Sequence, residues 1–162
     1  MSYKKIFFLF NLLILIGIVN YEIFKKERIL EEGKLVLFEL APVDPRSLMQ
    51  GDYMRLRYAI TRNYTPKEIP SRGYMLVSVN AEGVADRVVQ VDEHLIPNNE
   101  NEAVIKYFHN SWFVSIGSEA YFFEEGKAEK FEEAVYGGLK ISPSGESLLV
   151  GLFDEQKNFI EP

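Results

Sequence analysis

The feature that most constrains this chain is an apolar run close to its start. IFFLFNLLILIGIV, from Ile6 to Val19, is interrupted only by Asn11, and extended to Phe24 it makes 19 residues. Coiled as an α-helix, such a run is about 28 Å long, close to the ~30 Å of a bilayer's hydrocarbon core. Lys4 and Lys5 precede it; Lys25, Lys26 and Arg28 follow it. Tyr3 and Tyr21 fall near its two ends, where amphipathic rings settle in a membrane. A cleaved leader needs small residues at the cut, and the run passes directly into NYEIFKKER, which offers none. A buried soluble helix fits poorly with basic flanks on both sides. The reading is therefore a retained single-pass anchor over residues 1–28, followed by a domain over residues 29–162. Asn11 is tolerable in such a helix, either bonded to a neighbouring helix or tucked against its own backbone.

Charge is divided unevenly about that boundary. Residues 1–28 carry a net +3 and the rest −9, within a total of −6. An acidic domain argues against broad nucleic-acid binding. The absence of cysteine excludes a disulfide framework, a thiol nucleophile, a zinc–thiolate site and a lipobox-type lipid anchor. Apolar content of 47% and aromatic content of 14% exclude a disordered chain. The charge count around the helix is nearly even, and its one extra cation favours the domain lying inside.

Beyond EEGKL (31–35), where the chain leaves the anchor, the pattern is short apolar runs separated by turn residues, which reads as β. LVLFEL (35–40) is a strand, and the two-proline segment APVDPRSLMQG (41–51) is a loop. DYMRLRYAI (52–60) alternates: Met54, Leu56, Tyr58 and Ile60 share one face, and Tyr53, Arg55 and Arg57 the other. YMLVSV (74–79) and VADRVVQV (84–91) form a hairpin across NAEG. AVIKYFHNSWFVSIG (103–117) divides into two strands at His109-Asn110-Ser111. GKAEKFEEAV (126–135) is the one helix expected after the anchor, with Ala128, Phe131, Ala134 and Val135 on a common face. GGLKISPSGESLLVGLF (137–153) is a second hairpin turning at Pro-Ser-Gly. The fold class is thus mainly β (α+β): one N-terminal transmembrane helix, then a compact antiparallel β domain with one helix in its C-terminal half. The aromatics Tyr107, Phe108, Trp112, Phe113, Tyr121, Phe122 and Phe123 are expected to fill its core, the other reading being an exposed stripe against a bilayer or partner.

GDYMRLRY, Gly51 to Tyr58, matches the eight-residue signature of the GDYXXLXY family of bacterial membrane-anchored proteins at all five fixed positions. LAPVDPRSLMQ before it, YFFEEGKAEKFEEA (121–134) and the closing LLVGLF (148–153) also resemble that family, over most of residues 35–153. The resemblance implies an N-terminal anchor in the cytoplasmic membrane and a domain on its outer, periplasmic side, against the charge count. It also implies a polytopic membrane protein as partner, and no assigned chemistry. Read from the residues alone, Gly51 closes the loop before the strand. Asp52 accepts backbone N–H groups or pairs with Arg46, and Leu56 and Tyr58 point into the core. A structural role of this kind competes with a small site or docking surface around Arg46, Asp52 and Tyr53.

No catalytic constellation emerges. SLMQGDY invites comparison with serine–lysine signal peptidases, whose nucleophile stands eight positions before the glycine; here that position is Val43, Ser47 is only four before Gly51, and Lys106 is remote. Asp92-Glu93-His94 and His109 are the only metal-like material, and read better as polar turn residues. Glu124, Glu125, Glu129, Glu132 and Glu133 form an acidic cluster, read as a solvated helix face or a dock for a basic partner. No cofactor or metal is implied. The leading expectation is a non-catalytic accessory or interaction protein working with a polytopic membrane protein. The alternatives are a ligand-binding or sensing domain with a polar site around Asp52, and a hydrolase whose site the pattern does not expose.

Overall fold

The computed structural model describes residues 3–41, 53–62, 64–65, 67–97, 99–110, 112–124 and 126–161. The first element, α1 (Tyr3–Glu32), is a single unbroken helix. It is long and apolar enough to cross a membrane, and its most apolar window has no residue buried within the protein. The helix runs on past residue 28. At Ile29, its one buried residue, it begins to pack on the domain. Gly33 N–H closes it onto the Ile29 carbonyl at 3.0 Å. A side chain on Gly33 would strike that carbonyl and sit 3.3 Å from the backbone of Ile141, so this bare position lets the helix end directly against the sheet.

The remaining elements are β1 (Lys34–Glu39), β2 (Tyr53–Arg55), β3 (Arg72–Val79), β4 (Ala85–Asp92), β5 (Glu102–His109), β6 (Val114–Ser115), β7 (Ala120–Phe122), α2 (Ala128–Phe131), β8 (Tyr136–Ile141) and β9 (Ser147–Phe153). They form a three-stranded sheet in the order β1-β8-β9, a four-stranded sheet in the order β4-β3-β5-β6, and the ribbon β2-β7. All the strand pairs are antiparallel. A parallel bridge, Leu37 to Val84, links β1 to the start of β4.

Both expected hairpins are present, with turns that explain them. Asn80 Oδ1 accepts the N–H groups of Glu82 and Val84 at 2.9 and 3.0 Å, closing β3 onto β4. At the β8–β9 turn Gly145 takes a φ of +79°, a conformation that suits glycine. Ser142 there accepts the Glu146 N–H at 3.1 Å. The core lies between the sheets. Phe38, Met75, Ile105, Leu139 and Leu152 are almost fully buried, and Phe131 brings α2 onto them.

Three expectations require correction. The strand read over residues 52–60 shrinks to Tyr53–Arg55, and one turn of 3₁₀ helix follows at Ala59–Thr61. The helix read over 126–135 is a single turn, because the Val135 N–H donates to Phe153 O at 2.9 Å while its carbonyl accepts from Leu40 N–H at 2.8 Å. The sheet thus captures the chain before a second turn forms. The aromatic cluster divides: Tyr107 is buried, and Tyr121 and Phe123 pack at 5.1 and 5.2 Å from the Phe131 ring, but Phe108, Trp112, Phe113 and Phe122 are exposed.

Candidate functional site

The described part of the motif, Tyr53 to Tyr58, lies where the ribbon meets both sheets. β2 pairs with β7 through Tyr53–Phe122, Met54–Tyr121 and Arg55–Ala120. The next residue, Leu56, donates its N–H to Glu119 O at 2.9 Å, and the Arg57 carbonyl accepts from Ala41 N–H at 2.7 Å. Although the ladder stops at Arg55, side chains keep alternating. Leu56 and Tyr58 are almost completely buried, while Arg55 and Arg57 are exposed.

Tyr58 fixes the arrangement. Its hydroxyl donates to Ser118 O at 2.6 Å across 60 residues of sequence. Its ring meets Phe38 edge-on, with centroids 5.9 Å apart. It also occupies the space above Gly137, where an added Cβ would come within 3.0 Å of the ring. Burial, assisted by the negative charge of Glu119, holds the phenol well above its ordinary pKa, so it stays a neutral donor. The segment 115–119 is latched from other sides too: Ser147 Oγ donates to Ile116 O at 3.1 Å, and Glu119 Oε1 accepts the N–H groups of Ile116 and Gly117 at 2.5 and 3.1 Å.

Leu56 and Tyr58 therefore do what their spacing suggests. They form a core peg that binds the ribbon, the first sheet and the 115–119 loop together. Tyr53 contributes its backbone to β2. Arg46, Gly51 and Asp52 lie outside the described residues, as does Ser47. Lys106 is engaged elsewhere, donating to Glu146 at 3.2 Å.

The outward half of the motif lines a cleft of about 700 Å³. Arg55, Arg57 and Arg62 stand along it with Tyr64, Trp112 and Phe113, and Glu119 is the one carboxylate lining it among the described residues. None of the three arginines forms an ion pair among the described residues. A cleft with three guanidinium groups and aromatic walls suits an anion bearing an apolar or aromatic part. The alternation of the motif turned Arg55 and Arg57 outward without marking them as site residues. Arg62 and Tyr64 had no local signal, because the fold brings them in from a separate loop, and Trp112 and Phe113 were expected first in the core.

A second cleft, of about 740 Å³, opens at the root of the anchor and is lined by Lys26, Arg72, Glu93, Lys106 and Phe108 among others. Glu146 organises its wall. Its Oε1 accepts from Lys25 Nζ at 2.6 Å and from Lys106 Nζ at 3.2 Å, tying α1 to the β8–β9 turn and to β5. Burial pushes the Glu146 carboxyl up, and the two lysine hydrogen bonds outweigh it, leaving the group below its ordinary value. Sequence gave no hint of the Lys25–Glu146 pair, whose members are 121 residues apart.

The metal-like residues do not converge: among the described residues no three of His, Asp and Glu gather into a possible metal site. His109 has its ring nitrogens 3.0 and 3.1 Å from the carbonyls of Asn110 and Ile69. Within the acidic cluster Glu124 pairs with Lys127 at 2.7 Å, and Glu129, Glu132 and Glu133 are exposed. Glu125 lies outside the described residues. Asn11 and Asn20 each donate back to their own helix, to Phe7 O and Ile16 O.

Compared with known proteins, the chain is matched by the family model described as GDYXXLXY protein over residues 15–152. No curated protein and no solved structure matches it.

Proposed function

The chain belongs to the GDYXXLXY family, and on that premise we propose that it is a single-pass protein of the cytoplasmic membrane with its β domain on the outer, periplasmic side. There it acts as a non-catalytic accessory to a polytopic membrane protein. The observation that favours this reading is the form of the junction. The apolar part of α1 has no intramolecular cover, yet its last turns are packed and ion-paired to the domain at Ile29 and Lys25. Helix and domain are thus offered together, so one membrane partner can be gripped both within the bilayer and outside it.

The test is affinity purification of the tagged full-length protein from gently solubilised membranes, with Asp52→Ala alongside. A stoichiometric polytopic partner is expected; protein that emerges alone refutes the accessory role. Loss of the partner from a well-folded Asp52→Ala protein assigns docking to the motif. A reporter fused after Pro162 that works only in the cytoplasm refutes the topology.

One observation favours a second reading, ligand binding: the three arginines along the 700 Å³ cleft, which form no ion pair among the described residues. Thermal melting of the full-length protein in detergent against a series of aromatic carboxylates and phosphates tests it. A binder raises the melting temperature in proportion to RT ln(1 + [L]/Kd). A flat response throughout removes this reading.

A further inference from the structure

We infer that the β5–β6 turn, carrying Phe108, Trp112 and Phe113, is a second membrane contact that seats the domain in the lipid interface beside its own anchor. The inference rests on α1 spanning the bilayer, and otherwise on the direction in which β5 runs.

The middle of β1, beyond the end of α1, marks the far end. Leu37 N–H donates to Gly83 O in the β3–β4 turn, and the last residue of β3, Val79, donates to Asn101 O. The start of β5 therefore lies level with the middle of β1. Four residues into β5, Lys106 N–H donates to Gly145 O at the β8–β9 turn. That turn points back along α1, since Ile141 is level with Lys34 and Glu146 beyond it pairs with Lys25. So β5 runs toward the bilayer. Phe108 lies two residues past Lys106, up to about 7 Å further along that course at strand rise. It lines the same cleft as Lys26, the second residue beyond the apolar run. The turn that follows continues from this end of β5, with Trp112 and Phe113 also bordering the cleft of Arg55 and Arg57.

What this turn presents suits an interface. Trp112 is 86% exposed, Phe113 50% and Phe108 48%. Rings of this size left wet beside a bilayer match the aromatic belts that settle at headgroup depth. The turn is also held in shape. Asn110 Oδ1 accepts the N–H groups of both Trp112 and Phe113, at 2.9 and 3.1 Å. The N–H of Asn110 donates to Phe113 O at 3.3 Å. At the cleft that Phe108 lines, Lys25 and Lys106 are paired to Glu146, and Glu93 lines the same cleft, so Lys26 and Arg72 are the cations it presents to anionic headgroups.

Trp112 is the chain's single tryptophan, so its fluorescence reports this contact alone. The full-length protein is reconstituted without other proteins into phosphatidylcholine–phosphatidylglycerol vesicles, with and without lipid brominated high on the acyl chains. The expected result is a blue-shifted Trp112 emission that loses most of its intensity in the brominated vesicles and resists aqueous acrylamide. A probe moved to the opposite end of the sheet, Ala81→Trp in a Trp112→Phe background, should keep its emission in brominated lipid and yield to acrylamide. Trp112 emission of a water-exposed kind, untouched by brominated lipid, overturns the inference and leaves the rings for a protein partner. Equal quenching of both probes overturns it as well. Co-flotation is scored separately: failure to float with vesicles removes the spanning anchor, and this contact with it.

Discussion

Replacing Tyr58 with phenylalanine separates a structural from a functional role for the last residue of the signature. The ring is retained, with its edge-on contact to Phe38 and its seat over Gly137; only the hydroxyl is lost. That removes a 2.6 Å hydrogen bond and leaves the Ser118 carbonyl without this donor in a buried position. A net hydrogen bond is worth about 0.5–1.5 kcal/mol, and a stranded buried acceptor raises the cost to about 1–3 kcal/mol. For a domain of this size about 2 kcal/mol lowers Tm by about 8 °C. The assay is thermal and denaturant unfolding of the full-length protein in detergent, followed by circular dichroism. The phenol's raised pKa adds an internal check. Near pH 10 the unfolded chain releases this proton while the folded one keeps it. The folded state then holds more protons, and its stability falls as pH rises. The contribution is intact below pH 10 and is lost above it, so the gap between wild type and Tyr58→Phe should narrow in alkali. A variant that melts with the wild type, or a gap that widens in alkali, refutes the reasoning.

Three further outcomes follow from the same contacts. Phe131→Ala empties the site where the rings of Tyr121 and Phe123 meet, and should cost about 3–5 kcal/mol in denaturant unfolding. Gly33→Ala drives a methyl into the Ile29 carbonyl and the Ile141 backbone, so trypsin should cut after Lys26 and Arg28 faster while the β domain stays protected. Glu146 has a lowered pKa, so its contribution is present above its ordinary carboxylate range and is lost as pH falls through the folded value. Cutting at the junction by an acid-tolerant protease should accelerate in acid for wild type, beyond the protease's own pH dependence, and be fast without that extra rise for Glu146→Gln.

Much of the fold was legible because its signals are local. Two hairpins announce themselves through NAEG and Pro-Ser-Gly turns between apolar runs, and the alternation of Met54, Leu56 and Tyr58 predicts burial even where the strand ends early. What was not legible depends on distant partners. The i, i+3, i+4 spacing of Phe131, Ala134 and Val135 is helical, but Val135 is taken into hydrogen bonds with Leu40 and Phe153, and tertiary contacts override propensity. β7 is three residues long, too short to alternate, and exists because Leu56 and Arg55 bring the ribbon to Glu119 and Ala120. Hydrophobicity alone assigned Trp112 to the core, whereas it lies 86% exposed in a tight turn whose backbone Asn110 holds. For the site, the core half of the motif could be read from period two, but neither Arg62 nor Glu146 carries a local pattern.

The unbroken course of α1 across the junction has a consequence for geometry in the plane of the bilayer. Each residue of an α-helix advances about 100° and 1.5 Å, and Ile29 and Gly33 leave no slack between the membrane segment and the sheet. The anchor therefore sets the compass bearing of the domain as well as its height. One alanine inserted after Arg28 turns the cleft with Arg55 and Arg57 through roughly a third of a circle relative to anything bound along Ile6–Val19, whereas seven restore the bearing to within about 20° and lift the domain by about 10 Å.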